Sequence, residues 1–198
     1  TGMKGSVPGS TVSNNTGGRW RGGAFPVNGT MAGSSADSAF TDNGRGTSAG
    51  GAPGRGGAVG ISQYLDGSIT GSTFSGNTIL ASDSMGGALY ARKVNGDILA
   101  STFTGNRANK GGALYLAEGA GGSVSGSAFS GNTAGTDGGA IYLAGGGMKI
   151  VDPNFGKNTA AGAGGAIYSA GALRLEVSTG KTGLFSGNGA SGAQNALW

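Results

Sequence analysis

The residues in this chain that could do chemistry are few. Of its 198 residues none is cysteine and none is histidine. Disulfides, thiolate metal sites and imidazole acid–base catalysis are therefore excluded from the start. The acids are Asp37, Asp42, Asp66, Asp83, Asp97, Asp137, Asp152, Glu118 and Glu176. Sugar-cleaving chemistry needs two carboxylates facing one bond, or a basic residue poised beside a metal. No two of these acids align as such a pair. Asp83 and Asp137 both fall in variable loops, separated by a rung, and neither a catalytic residue nor a metal or cofactor site is expected. A carbohydrate-active lyase or hydrolase stays as the alternative from another class.

A second group recurs regularly. Tyr90, Tyr115, Tyr142 and Tyr168 each follow an aliphatic residue in the same motif, and Trp198 could continue the row. If the aliphatics face inward, the tyrosines form an outward aromatic stripe. Tyrosine combines area with a hydroxyl, so the stripe is a candidate surface for sugars or a partner; simple stacking that stiffens one wall is the plainer explanation.

What positions these residues is a repeat. One mark is Phe-x-x-Asn: Phe40–Asn43, Phe74–Asn77, Phe103–Asn106, Phe129–Asn132, Phe155–Asn158 and Phe185–Asn188, with Val12–Asn15 a degenerate first copy. The other is Gly-Gly-Ala plus an apolar residue, beginning at Gly22, Gly56, Gly86, Gly111, Gly138 and Gly164, with a frayed copy at Gly192. From the first Gly to the next Phe the interval is 18, 18, 17, 18, 17 and 21 residues. From Phe to the next Gly-Gly it is 16, 12, 8, 9 and 9. The first interval is framework, and insertions fall after the asparagine. A solenoid behaves this way, holding its rung while one face absorbs changes.

Each rung holds three expected strands. Ile69, Ile98, Val124 and Ile150 lie five residues before a Phe. Five is odd, so a flat strand could not turn both inward. A bend near Gly71, Ala100, Gly126 or Asp152 removes the conflict. The expected fold is all-β: a right-handed, three-sided parallel β-helix of about seven rungs forming one domain over 1–198, irregular over 1–60 and regular over 61–198. Asn43, Asn77, Asn106, Asn132, Asn158 and Asn188 should form a ladder of stacked amides, helped by asparagine's tolerance of left-handed backbone at corners.

Gly-Gly-Ala-Ile paired with Phe-x-x-Asn resembles the repeat of the polymorphic outer-membrane proteins of chlamydiae. More broadly it is similar to β-helical passenger domains of bacterial autotransporters. The resemblance runs from Val12 to Leu197 and is clearest between Phe74 and Asn188; it does not extend to a translocation barrel. It implies an extracellular or bacterial cell-surface location, and often adhesion.

The remaining composition narrows the partners. The formal charge is +4 with 11% charged residues, too dilute for a nucleic-acid footprint. Weak attraction to acidic polysaccharide remains. No apolar run approaches the roughly 20 residues of a membrane helix, so membrane insertion by this chain is not expected. Ser72-Thr73 and Ser101-Thr102 align, but Ser127-Ala128 and Pro153-Asn154 break the threonine row that an ice-binding face needs. With no amphipathic cap at either end, two expectations stand: a piece of a longer passenger, or a subunit stacking head to tail into a filament. The expected function is a non-enzymatic structural or adhesive surface scaffold, with itself or a cell-surface glycan or protein as partner.

Overall fold

A computed structural model describes residues 3–17, 23–45 and 53–192. Among them there is no helix, and every pairing between strands is parallel, as in a β-solenoid of about six turns. Four sheets form its walls. The tyrosine wall stacks Phe25–Val27, Val59–Leu65, Leu89–Val94, Leu114–Leu116, Ile141–Leu143 and Ile167–Ser169. The aliphatic wall carries Ile69, Ile98, Val124 and Ile150 in register. The phenylalanine wall aligns Val12, Phe40, Phe74, Phe103, Phe129, Phe155 and Phe185.

The fourth wall was not apparent from the sequence. Two-residue strands at Gly44–Arg45, Thr78–Ile79, Arg107–Ala108, Thr133–Ala134, Thr159–Ala160 and Gly189–Ala190 follow each asparagine. This short wall precedes the insertions, so variable length falls after it. The long interval before Phe185 places its extra residues in the turn around Ser178–Lys181, where the amide of Lys181 donates to the Ser178 carbonyl.

Stacking fixes the core. Successive phenylalanine rings from Phe40 to Phe155 lie 4.8 Å apart, and Phe155 and Phe185 5.0 Å apart. Leu89, Leu114, Ile141 and Ile167 form a second, fully buried column. Burial of each such side chain stabilises by about 1.5–3 kcal/mol, which lets a glycine-rich chain hold a core.

The bends lie where the odd offset requires them. Gly71, Ala100, Gly126 and Asp152 have φ of 57°, 46°, 57° and 52°. At the next corner the structure corrects one detail. The left-handed residue is the one before each ladder asparagine: Asn14, Asp42, Gly76, Gly105, Gly131, Lys157 and Gly187. The ladder asparagines themselves are absent from that region, so their part lies in the side-chain amide and not in turn preference.

Candidate functional site

The asparagine column sits inside the coil between the phenylalanine and short walls. Asn43, Asn77, Asn106, Asn132 and Asn158 are at most 1% exposed. The side-chain amide of Asn106 donates to Asn132 Oδ1 at 3.0 Å and to the Phe74 carbonyl at 3.0 Å. Its backbone amide donates to the same Asn132 Oδ1 at 3.0 Å. The pattern repeats from Asn43 to Asn158, with Asn188 accepting from Asn158. Every buried amide is thereby satisfied in both directions, as burial demands.

A parallel serine ladder was missed. The backbone amides of Ser38, Ser72 and Ser101 donate to the hydroxyls of Ser72, Ser101 and Ser127, at 3.3, 3.1 and 3.1 Å. The signal was present: serine stands two residues before each aromatic at Ser38, Ser72, Ser101 and Ser127. These residues point inward, while Thr73, Thr102 and Ala128 point outward.

The tyrosines pair in register, Tyr90 with Tyr115, Tyr115 with Tyr142 and Tyr142 with Tyr168. They lie opposite the buried aliphatics. Their separations are 5.6, 5.0 and 4.6 Å, with interplanar angles of 13°, 3° and 12°. Ring faces are thus turned toward one another. Gly60 stands below Tyr90 in the column, and the Arg55 guanidinium lies over that ring at 5.0 Å. Lys110 stands 5.3 Å from the Tyr142 ring centre. Between Tyr90 and Tyr168 the row therefore offers edges and hydroxyls, not open faces on which a sugar could stack. Tyr90 and Tyr115 are only 5% and 8% exposed, whereas Tyr142 and Tyr168 are part-buried. Trp198 lies outside the described residues.

Burial raises the Tyr142 hydroxyl pKa to about 12, with the neighbouring hydroxyls of Tyr168 and Tyr115 adding to the effect. The Tyr115 pKa is raised for the same first reason, and the positive charge of Arg55 pulls against it. Neutral phenols are hydrogen-bond donors, so the column presents donors along the coil axis.

The acids do not converge. Asp97 accepts from the Ser123 amide at 2.8 Å, Asp137 from the Ala163 amide at 2.8 Å, and Asp152 from the Ser178 amide at 2.7 Å. Among the described residues no three of His, Cys, Asp and Glu are grouped to hold a metal ion.

The family model described as Chlamydia polymorphic membrane protein (Chlamydia_PMP) repeat matches residues 100–117, 126–144 and 154–170. Each stretch spans a phenylalanine-wall strand, its ladder asparagine and the Gly-Gly that opens the tyrosine wall. The matches cover about a quarter of the chain. No curated protein and no solved structure matches it.

Proposed function

We propose that this chain, carrying three repeats of the chlamydial polymorphic membrane protein kind, is a non-enzymatic, extracellular scaffold of a bacterial cell surface with an adhesive role. The observation that carries this reading is the pairing of those matches with unbroken columns of Phe, Asn and Tyr through successive turns. Such a coil is a stiff rod. Its inward positions are fixed by stacking, which leaves loops and outward columns free to vary for contact. The carboxylates support the same reading, since Asp97, Asp137 and Asp152 act as cross-turn acceptors.

The test has two arms. Intact cells producing the protein in its native setting should lose it to external protease and bind an antibody raised against it. Beads coated with the folded chain should adhere to cells or glycan surfaces, with no release of reducing sugar or unsaturated product. Protection from protease, or turnover of glycan, would remove the proposal.

A further inference from the structure

Most of the acids hold a partner within the coil. Asp66 accepts from the Asn95 side chain at 2.7 Å. Glu118 pairs with Arg92 at 2.6 Å, and Glu176 with both Lys149 and Arg174. Asp97, Asp137 and Asp152 accept amides of the next turn; Asp137 does so one turn beyond Lys110 in the same column, and Asp83 lies between Ser82 and Ser84 in the loop after the short wall. Among the described residues no carboxylate pairs with Arg55, Arg107 or Lys110.

These three cations share one edge, where the short wall turns into the tyrosine wall. Arg107 is exposed on the short wall. Arg55 and Lys110 stand immediately before their Gly-Gly pairs and are joined through Met85 by parallel bridges. Two turns separate them, about 10 Å along the axis at the spacing of paired strands. The Nε of Arg55 is buried and has no hydrogen-bond partner.

The same edge holds a cleft of about 150 Å³, lined by Ile79, Leu80, Ser82, Arg107 and Asn109 among others. Its wall is built: the amide of Asn109 donates to the Ser84 hydroxyl at 2.8 Å, and the Asn109 side chain donates to the Ser82 carbonyl. Thr78, Arg107, Thr133 and Thr159 form one column on the short wall, with the last two hydroxyls 3.3 Å apart.

We propose that this edge binds a linear acidic polysaccharide laid along the coil axis. Its anionic groups meet Arg107, Lys110 and Arg55, and its hydroxyls meet the threonine column and the cleft. The proposal rests on the surface-scaffold reading and names its partner. A polymer with a regular repeat suits a surface with a regular rise. Nucleic acid is the other polyanion of such length, but its single strands bind through bases stacked on aromatic faces, and from Tyr90 to Tyr168 the rings are stacked on one another.

Heparin is the probe, with duplex DNA and neutral dextran beside it on the folded chain. Binding to heparin should weaken steadily as salt rises. Replacing both Arg107→Gln and Lys110→Gln should lower affinity about tenfold or more, the scale of lost charge-assisted hydrogen bonds. The charge-keeping pair R107K and K110R should retain most of it. Lys181→Gln, in the Ser178–Lys181 turn between the aliphatic and phenylalanine walls, should change nothing. Equal loss in K181Q, no loss in the double variant, or DNA binding as tight as heparin would overturn the proposal. Bead adhesion that survives the loss of heparin binding would leave the scaffold reading standing and remove only this one.

Discussion

A β-carbon on Gly87 would lie 2.1 Å from the carbonyl oxygen of Gly112 in the next turn and 2.5 Å from the Arg107 amide nitrogen. Gly23, Gly57, Gly112 and Gly139 make the same approach, so the second glycine of these pairs is required by closeness of backbone to backbone, independently of φ. Gly87→Ala should cost about 4 kcal/mol or more, or prevent folding, because backbone on both sides must move. Gly105→Ala is the contrast. A β-carbon there meets nothing within 4 Å, so only the left-handed backbone is penalised, by about 1–2 kcal/mol. Urea unfolding of both variants checks the ranking; equal losses would contradict it.

The ladder asparagine makes a separate prediction. Asn132→Ala removes the acceptor of the Asn106 backbone amide, one of the two acceptors of the Asn106 side-chain amide, and the side-chain donor to the Phe103 carbonyl. Unmade buried hydrogen bonds cost about 1–3 kcal/mol each, so a loss of at least about 3 kcal/mol is expected. Asn132→Asp should rescue little, because a carboxylate cannot donate to the Phe103 carbonyl or to Asn158 Oδ1. Chemical denaturation of the two variants tests this, and recovery in the Asp form would show that acceptance alone matters.

How far the sequence discloses the fold follows from what pattern can encode. The odd offset between Ile98 and Phe103 demands a bend, and Ala100 supplies it at φ 46°. The fixed interval from Gly-Gly to Phe discloses the walls. The short wall escapes, because Thr78–Ile79 is two residues long and two residues carry no periodicity. Parity places Tyr115 opposite Leu114 but says nothing of ring orientation, and it is orientation that closes the faces. Ser127-Ala128 interrupts a surface row of hydroxyls, yet Ser127 continues the buried one. A surface criterion applied to a buried position conceals the serine ladder.

Ser101→Ala tests that ladder. Its hydroxyl accepts from the Ser72 amide at 3.1 Å and donates to the Leu99 carbonyl at 2.8 Å. Removing it strands a buried N–H, at a cost of about 1–3 kcal/mol. Ser130, whose hydroxyl meets that of Thr104 on the outer face, should tolerate Ala within about 0.5 kcal/mol. Thermal melts of the two variants should therefore separate clearly.

Two corner residues offer stabilisation. Ala100 and Lys157 hold φ of 46° and 56°, where their column neighbours Gly126 and Gly131 are glycine. Ala100→Gly and Lys157→Gly relieve the left-handed penalty, offset in part by added freedom of the unfolded chain. The net gain should be about 0.5–1 kcal/mol each, a rise in Tm of about 2 °C. A fall in Tm for both would mean that the corner backbone carries no strain.

The tyrosine column should make stability fall at alkaline pH. An unfolded tyrosine ionises near pH 10, whereas Tyr142 in the folded chain holds its proton to about 12. Below the unfolded value both states are neutral, and the folded state keeps its full margin. Between the two values the unfolded chain gives up a proton that the folded chain retains, so stability drops as pH rises and levels once the folded phenol ionises. The group is part-exposed, and solvent screening reduces its contribution to about 1 kcal/mol. Tyr115, shifted the same way, adds in the same sense. Melting temperatures taken near pH 9 and near pH 12 should therefore fall more for the native chain than for Tyr142→Phe, which has no proton to lose. An identical alkaline fall in both would assign the loss to other groups and remove the part-buried hydroxyl of Tyr142 as its cause.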